Sequence, residues 1–481
     1  LAIYQTSDVL IFGNTEISGS LYAESTNVTI WNSKISGRLQ AAIVNLNIHD
    51  VEKLGGISNW NGVCEYTSID NVTFTSNIAF DGGTSIDFTN SSVSSSLQIY
   101  HKFVNMTNIT IGGTLNIGSG TSTSLAYLNN VTSTGHLDGA VRDLRLEDVH
   151  TMRGAGTLRV SNLWISNSTF EKTSGSTDNY YFYVSDLDNH DNPSTEDIYI
   201  YNSTIRFNTT SDGNYAFLFD IDTTGDIRII DSEINATHYR TSTIELKGSE
   251  VLIRNSIIWS GTYFDGTGDW CHEYYWYGNE AYCNSYYNAY RINGEIYSYL
   301  TLEANNLTIT DSILKSTSEH TSTTQIPPNE GSSREYWRKA LTYVDVDVEY
   351  DMKVDDSLIL GLVRNLGPDV YSRNLNDQVS LDYDIAAQNL EVLDSTLKGK
   401  KVAGEGGYSL STKIDSGGGE VDIQESWLGL VNSNGDFQIR ETNYTLSITN
   451  STLRTTITAC TSGYGCNTTY QNAEAFIDNS T

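Results

Sequence analysis

One short phrase recurs along this chain and limits what it can fold into: apolar, x, apolar, x, Asn or Asp, Ser, x, apolar. Its clearest copy lies between Asp226 and Ile234, with Ile227, Ile229, Asp231, Ser232 and Ile234 in the fixed positions. The phrase returns as Val251-Ile253-Asn255-Ser256-Ile258, Ile198-Ile200-Asn202-Ser203-Ile205 and Leu307-Ile309-Asp311-Ser312-Leu314. Leu163-Ile165-Asn167-Ser168-Phe170, Leu390-Val392-Asp394-Ser395-Leu397 and Leu446-Ile448-Asn450-Ser451-Leu453 repeat it, and Glu425-Ser426 marks a degenerate copy. Variants in the first third pass through Ile30-Asn32-Ser33-Ile35, Phe88-Asn90-Ser91-Val93 and Leu146-Asp148-Val149.

Apolar residues at every second position describe a strand with one buried face. Asn or Asp followed by Ser ends that strand, because these side chains bond the local backbone and tolerate left-handed conformations. The next apolar residue re-enters the core beyond the corner. A single unit cannot bury its own face, whereas stacked neighbours can, so many copies predict a solenoid. Alternating runs between the phrases, such as Tyr215 to Ile221, Thr243 to Leu246 and Tyr408 to Ile414, supply the other faces of each coil. At about 25 residues per coil the chain holds on the order of 19 coils, a rod of roughly 90 Å. A β-propeller has a longer, more regular repeat, and a string of β-sandwiches has no reason to repeat one turn phrase.

The pattern spans nearly all 481 residues, which reads as one long all-β domain. A net charge of −31 excludes non-specific nucleic-acid binding, since no basic field is present to neutralise phosphate. It suits bound cations, a basic partner or a well-solvated surface. No apolar run reaches the roughly 18 residues a membrane-spanning helix needs. The first residue, Leu1, follows no signal peptide and fits a processed secreted protein.

Four of the five cysteines fall in close pairs, Cys271 with Cys283 and Cys460 with Cys466, spaced for local disulfides in an oxidising compartment and not for zinc. Cys64 is left over, either an inert buried thiol or a bridge to another subunit. Sequons for N-glycosylation occur at Asn27, Asn71, Asn90, Asn105, Asn108, Asn130, Asn167, Asn202, Asn208, Asn235, Asn306, Asn443, Asn450, Asn467 and Asn479. Asn167, Asn202 and Asn450 are turn residues of the repeat itself. Covalent glycans there require the corner to face solvent.

Residues 1–26 read as cap strands or strands donated to a neighbour, and 27–258 as coils with modest loops. Residues 259–300 form an insertion stapled by the Cys271/Cys283 pair; Trp270, Tyr274, Tyr275, Trp276 and Tyr277 make it either a binding platform or a flap packed on the flank. Coils resume over 301–481, interrupted at 316–340 by Pro327-Pro328 and a short helix capped by Ser332 and Glu335. Asp345, Asp347, Glu349 and Asp351 alternate along one strand, giving a solvated acidic face or a row for Ca²⁺. Asp186 to Asp191 and Asp220 to Asp226 are further oxygen-rich stretches without an EF-hand pattern. No other cofactor is implied.

The stacked strand-and-turn phrase resembles the right-handed parallel β-helix of the pectin-lyase-like superfamily, which includes polysaccharide lyases and hydrolases, phage tailspikes, secreted adhesins and archaeal surface proteins. The resemblance covers most of the chain as architecture and specifies no reaction. The hydrolases' Gly-His-Gly is missing, since Gly135-His136 is followed by Leu137. Asp355-Asp356, the nearest Asp-Asp, sits at an ordinary turn before Ser357. His150 and His272 have no triad partners nearby in sequence. The resemblance therefore implies a non-enzymatic extracellular protein, most like archaeal surface-layer, sheath or filament subunits, partnered by its own copies. A carbohydrate-binding adhesin and a polysaccharide-active enzyme with carboxylates on adjacent coils are the alternatives.

Overall fold

The computed structural model describes residues 2–3, 9–59, 64–80, 82–118, 123–153, 155–173, 180–185, 197–209, 216–238, 241–264, 274–277, 280–283, 293–320, 336–365, 375–402, 407–416, 421–424, 427–431, 438–440, 446–449, 451–457 and 471–477, with only the backbone course given beyond residue 400. Among them there is no helix. One 37-stranded sheet takes up every strand except the pair Tyr274–Tyr277 and Glu280–Cys283. Its strands run parallel to their neighbours, apart from the closing pair Ser451–Ile457 and Gln471–Ile477, which is antiparallel.

The stacking is solenoid-like. Strands Ala216–Asp222, Ile227–Ile230 and Glu233–His238 make up three faces of one coil. Each pairs residue for residue with the corresponding stretch of the next coil: 216–222 on 241–247, 227–230 on 251–254, and 233–238 on 257–262. We call these the leading, motif and trailing faces. The motif face passes through seventeen successive strands, from Val9–Gly13 to Leu446–Thr449. At about 4.8 Å per coil that gives roughly 80 Å of stack, a little short of the nineteen-coil expectation because insertions use up chain. Val9–Gly13 is itself an ordinary coil strand within the expected cap region.

The recurring Asn or Asp makes the corner between the motif and trailing faces. Among the described residues, all fifteen non-glycine residues with positive φ are Asn or Asp, from Asn14 to Asp394, with φ between 42° and 58°. Short polar side chains bear this left-handed conformation best, and a β-branched residue there is strained. The corner amides stack along the rod: Asn32 Nδ2 donates to Asn14 Oδ1, Asn108 to Asn90, Asn130 to Asn108, Asn202 to Asn167 and Asn255 to Asp231, at 2.5–2.9 Å.

The serine that follows closes the remaining gap in backbone pairing. Ser232 Oγ donates to the Ile230 carbonyl and accepts the backbone N–H of Ser203; Ser256, Ser312, Ser357 and Ser395 repeat both bonds in turn. These serines are buried, so each unmade bond would leave a polar group without water. A second corner form lacks Ser: Asp50, Asn71, Asn108, Asn130 and Asp148 are followed directly by buried Val51, Val72, Ile109, Val131 and Val149.

Inside the stack, apolar residues form one cluster from Leu21 to Leu397. Stacked coils pair like with like, as Phe182 and Phe219 do with ring centroids 4.9 Å apart. A polar spine crosses this core on the trailing and leading faces. Ser260 Oγ donates to Ser242, Ser298 Oγ donates to Ser260, and Ser316 lies 2.9 Å from Ser298, all four being fully buried.

That spine extends the coils into segments the sequence assigns to insertions. Ile257–Phe264 and Ile313–His320 are trailing-face strands paired with each other over 257–264 and 313–320, and Tyr336–Asp355 pairs with Asn293–Thr310 from Asn293 onward. Ser260, Thr262, Ser316 and Ser318 point inward where the phrase predicts apolar residues, which hides the strands from an apolar count. The proposed short helix, with Ser332 and Glu335, lies outside the described residues.

Candidate functional site

The outward positions of the motif face, the two x positions of the phrase, stack into columns just as the inward ones do. One column runs Asn105, Tyr127, Arg145, Trp164, Tyr199, Arg228 over six successive coils, and beside it runs Thr107, Asn129, Glu147, Ser166, Tyr201, Ile230. Trp164 is 42% exposed, and its ring lies 5.1 Å from both Tyr199 and Tyr201, at 26° to the latter. Tyr199 and Tyr201 stack at 13°. The rings form a tilted shelf.

N-terminal to the shelf the surface dips into a cleft of about 590 Å³ lined by Leu125, Tyr127, Arg145, Leu146, Glu147, Trp164 and Ser166. Glu147 is fixed there. Its carboxylate accepts the Tyr127 hydroxyl at 2.6 Å and the Asn129 amide at 3.3 Å. Hydrogen bonding to that carboxylate pushes the Tyr127 phenol up, with the Asn129 amide opposing. Asp197 does the same to Tyr199, accepting its hydroxyl at 2.8 Å. Arg228 lies over Tyr199, 5.3 Å from the ring centre, and donates to Asp226 at 3.2 Å. Arg145 is exposed on the cleft floor between Tyr127 and Trp164. Chemically the cleft offers flat apolar faces, a positioned carboxylate and a guanidinium.

Two acidic regions lie elsewhere. Asp311, Asp356 and Asp394, corner residues of three successive coils, line a shallow recess of about 450 Å³ with Ser312, Ser357 and Thr396. On the leading face, Asp345 stacks against Thr301 and Asp384, and Asp347 against Glu303 and Ala386. Burial, then Asp384 and Asp347, hold the Asp345 carboxyl above its usual range. Glu349 and Asp351 do not extend a straight row: the pairing shifts between Val348 and Asp351, so the strand turns a corner after Asp347. Asp351 instead joins a side-chain chain in which its N–H donates to Asn306 and its carboxylate accepts from Asn389. Further along the leading face, Asp220 is half-buried and raised to about 6 by desolvation, then by Glu245 and Asp222. Among the described residues no group of three or more His, Cys, Asp or Glu is placed to hold a metal ion.

The sequence-derived platform is described only as backbone: Tyr274–Tyr277 and Glu280–Cys283 form an antiparallel pair with Tyr274 opposite Cys283. Trp270, Cys271, Cys460, Cys466, His272 and the stretch Asp186 to Asp191 lie outside the described residues, as do Asn443, Asn450, Asn467 and Asn479. Cys64 is fully buried in the core. The sequons at Asn71, Asn90, Asn108, Asn130, Asn167 and Asn202 occupy exposed left-handed corners; Asn208 is exposed on the trailing face, and Asn27, Asn105, Asn235 and Asn306 are partly exposed. His150 is exposed on the trailing side of its corner.

Sequence reading missed the Trp164 shelf. Its signal was present in the x positions of consecutive phrases, which become legible once the register of the coils is known. No helix among the described residues is long and apolar enough to cross a membrane. No protein-family model, curated protein or solved structure matches the chain.

Proposed function

We propose that this chain is a right-handed parallel β-helix that serves outside the cell as a structural rod, assembling with its own copies into a surface layer, sheath or filament. The observation that carries this reading is the axial continuity of the motif corner. Serine hydroxyls bond coil to coil at this corner from Val149 to Ser395 without a break, and Asn and Ser side chains bridge most of the earlier corners from Asn14 onward. Such a corner resists splaying of the coils, the property a load-bearing element needs. Parallel stacks also end in strands with outward N–H and C=O groups, to which a second copy can add coils. N-glycans at the exposed corner sequons would shield the sides and leave the ends as the assembling surfaces.

The test is sedimentation of the native glycosylated protein over a hundredfold range of concentration. The proposal expects growth from single rods to large, ordered assemblies. A monomer throughout that range would refute it.

A further inference from the structure

We propose that the trailing face around Leu358, Leu360 and Leu362 is a side-by-side docking surface for a second copy of this chain, which seats its leading face there. The proposal rests on the self-assembly reading and adds to it a contact on a stretch of side that carries no sequon.

The strand Leu358–Asn365 is apolar on both sides. Ile359 and Val363 are buried in the core, whereas Leu358, Leu360 and Leu362 alternate with them on the outer side and stay partly exposed. A strand of that composition belongs in a sheet covered on both faces. The coil before it adds Ile313, in register with Leu358, and the coil before that adds Ile257, in register with Ile313 and 41% exposed. Outward aliphatics aligned over successive coils make a contiguous patch, the kind of surface that marks a contact with another molecule.

Charge identifies what covers the patch. Lys315 and Lys398 flank Leu360 on the coils before and after, and Lys400 follows Leu362. Asp311, Asp356 and Asp394 bound the face at the corner, so the lysines stand toward its middle. The chain carries −31 overall, yet three of its 28 basic residues fall within 398–401.

The leading face of the same coils carries the opposite charge. Asp345 and Asp347 are exposed there, and Asp382 and Asp384 follow on the next coil. Beside them Tyr299 and Tyr343 stack with ring centroids 4.6 Å apart. Rings set on the leucines and carboxylates set on the lysines give a contact with an apolar centre and complementary charges around it. No N-x-Ser/Thr occurs between Asn306 and Asn443, so no N-glycan would stand between two such faces. A contact of one face on a different face repeats from rod to rod and lays the rods side by side into sheets or tubes.

Electron microscopy and sedimentation of charge-reversed variants test the contact. Lys398→Glu with Lys400→Glu, and Asp345→Lys with Asp347→Lys, should each raise the concentration needed for side-by-side association by about tenfold or more. An equimolar mixture of the two variants should regain it, because each reversed face then meets its opposite. Leu360→Asp should lose it as well. All these side chains point outward, so the variants should unfold at the unmodified protein's midpoint. Association unchanged in the variants, or not regained by the mixture, would overturn the proposal. Native rods joined only end to end would overturn it and leave self-assembly standing, whereas rods that never associate would overturn both.

Discussion

The hydroxyl of Ser312 accepts the backbone N–H of Ser256 at 3.1 Å, although the two lie 56 positions apart in the chain. The residues between them include the whole aromatic insertion, yet the corner closes as it does between Ser232 and Ser256, only 24 residues apart. The corner therefore keeps the same bond on either side of the insertion, whose first and last residues, up to Phe264 and from Asn293, are themselves strands of the stack.

Removing that hydroxyl should be costly. Ser312→Ala leaves the Ser256 N–H buried and unpaired, and the expected destabilisation is about 1–3 kcal/mol. Amide exchange at Ser256 should accelerate in the variant while exchange at Val28, far along the stack, stays slow. Equal exchange at Ser256 in both proteins would show that the hydroxyl is not the partner on which the corner depends.

The left-handed corner makes a separate prediction at Asn255, where φ is 46°. Asn255→Val should cost about 1–2 kcal/mol from backbone strain alone, and Asn255→Gly should cost less, because glycine adopts this conformation freely. Thermal midpoints should rank Asn, Gly, Val in falling order. A Val variant as stable as the Gly variant would mean that the corner is set by its neighbours and not by its own residue.

Asp220 gives the rod a defined pH dependence. Its carboxyl titrates at about 6 in the fold against 3.8 for an ordinary Asp, through desolvation first and the charges of Glu245 and Asp222 second. The fold thus holds this proton more tightly than the unfolded chain. Its contribution is fully present below pH 3.8 and is lost as pH rises through about 6. Because the group is only half-buried, solvent screening reduces the effect to about 1 kcal/mol. Asp220→Asn should stabilise the protein by that amount at pH 7 and flatten the slope between pH 4 and 6. An unchanged slope would place the titrating group elsewhere.

Much of the stack is legible in the sequence because the phrase states its own geometry. Ile227, Ile229 and Ile234 are inward, Asp231 takes the left-handed corner, and Ser232 bonds along the rod, each as its residue type requires. The signal fades where inward residues are polar. Ser260, Ser298 and Ser316 satisfy one another inside the rod, and each breaks the apolar alternation of its strand. Corners at Asn71, Asn108 and Asn130 also escape the phrase, since the buried Val or Ile that follows takes the place of Ser. The Trp164 shelf was hidden for another reason. Trp164, Tyr199 and Tyr201 are ordinary outward residues one strand at a time, and only the register between coils, with 34 or more residues separating Trp164 from its partners in some steps of the stack, brings them together.

Negative-stain electron microscopy of the native protein, with and without a Ca²⁺ chelator, is the most direct test of the structural reading. Filaments, tubes or sheets built from rods of roughly 80 Å are the predicted result. Dissolution by the chelator would add a cation to the contacts between copies. Dispersed single rods under both conditions, at concentrations where a surface protein would be packed, would contradict the account.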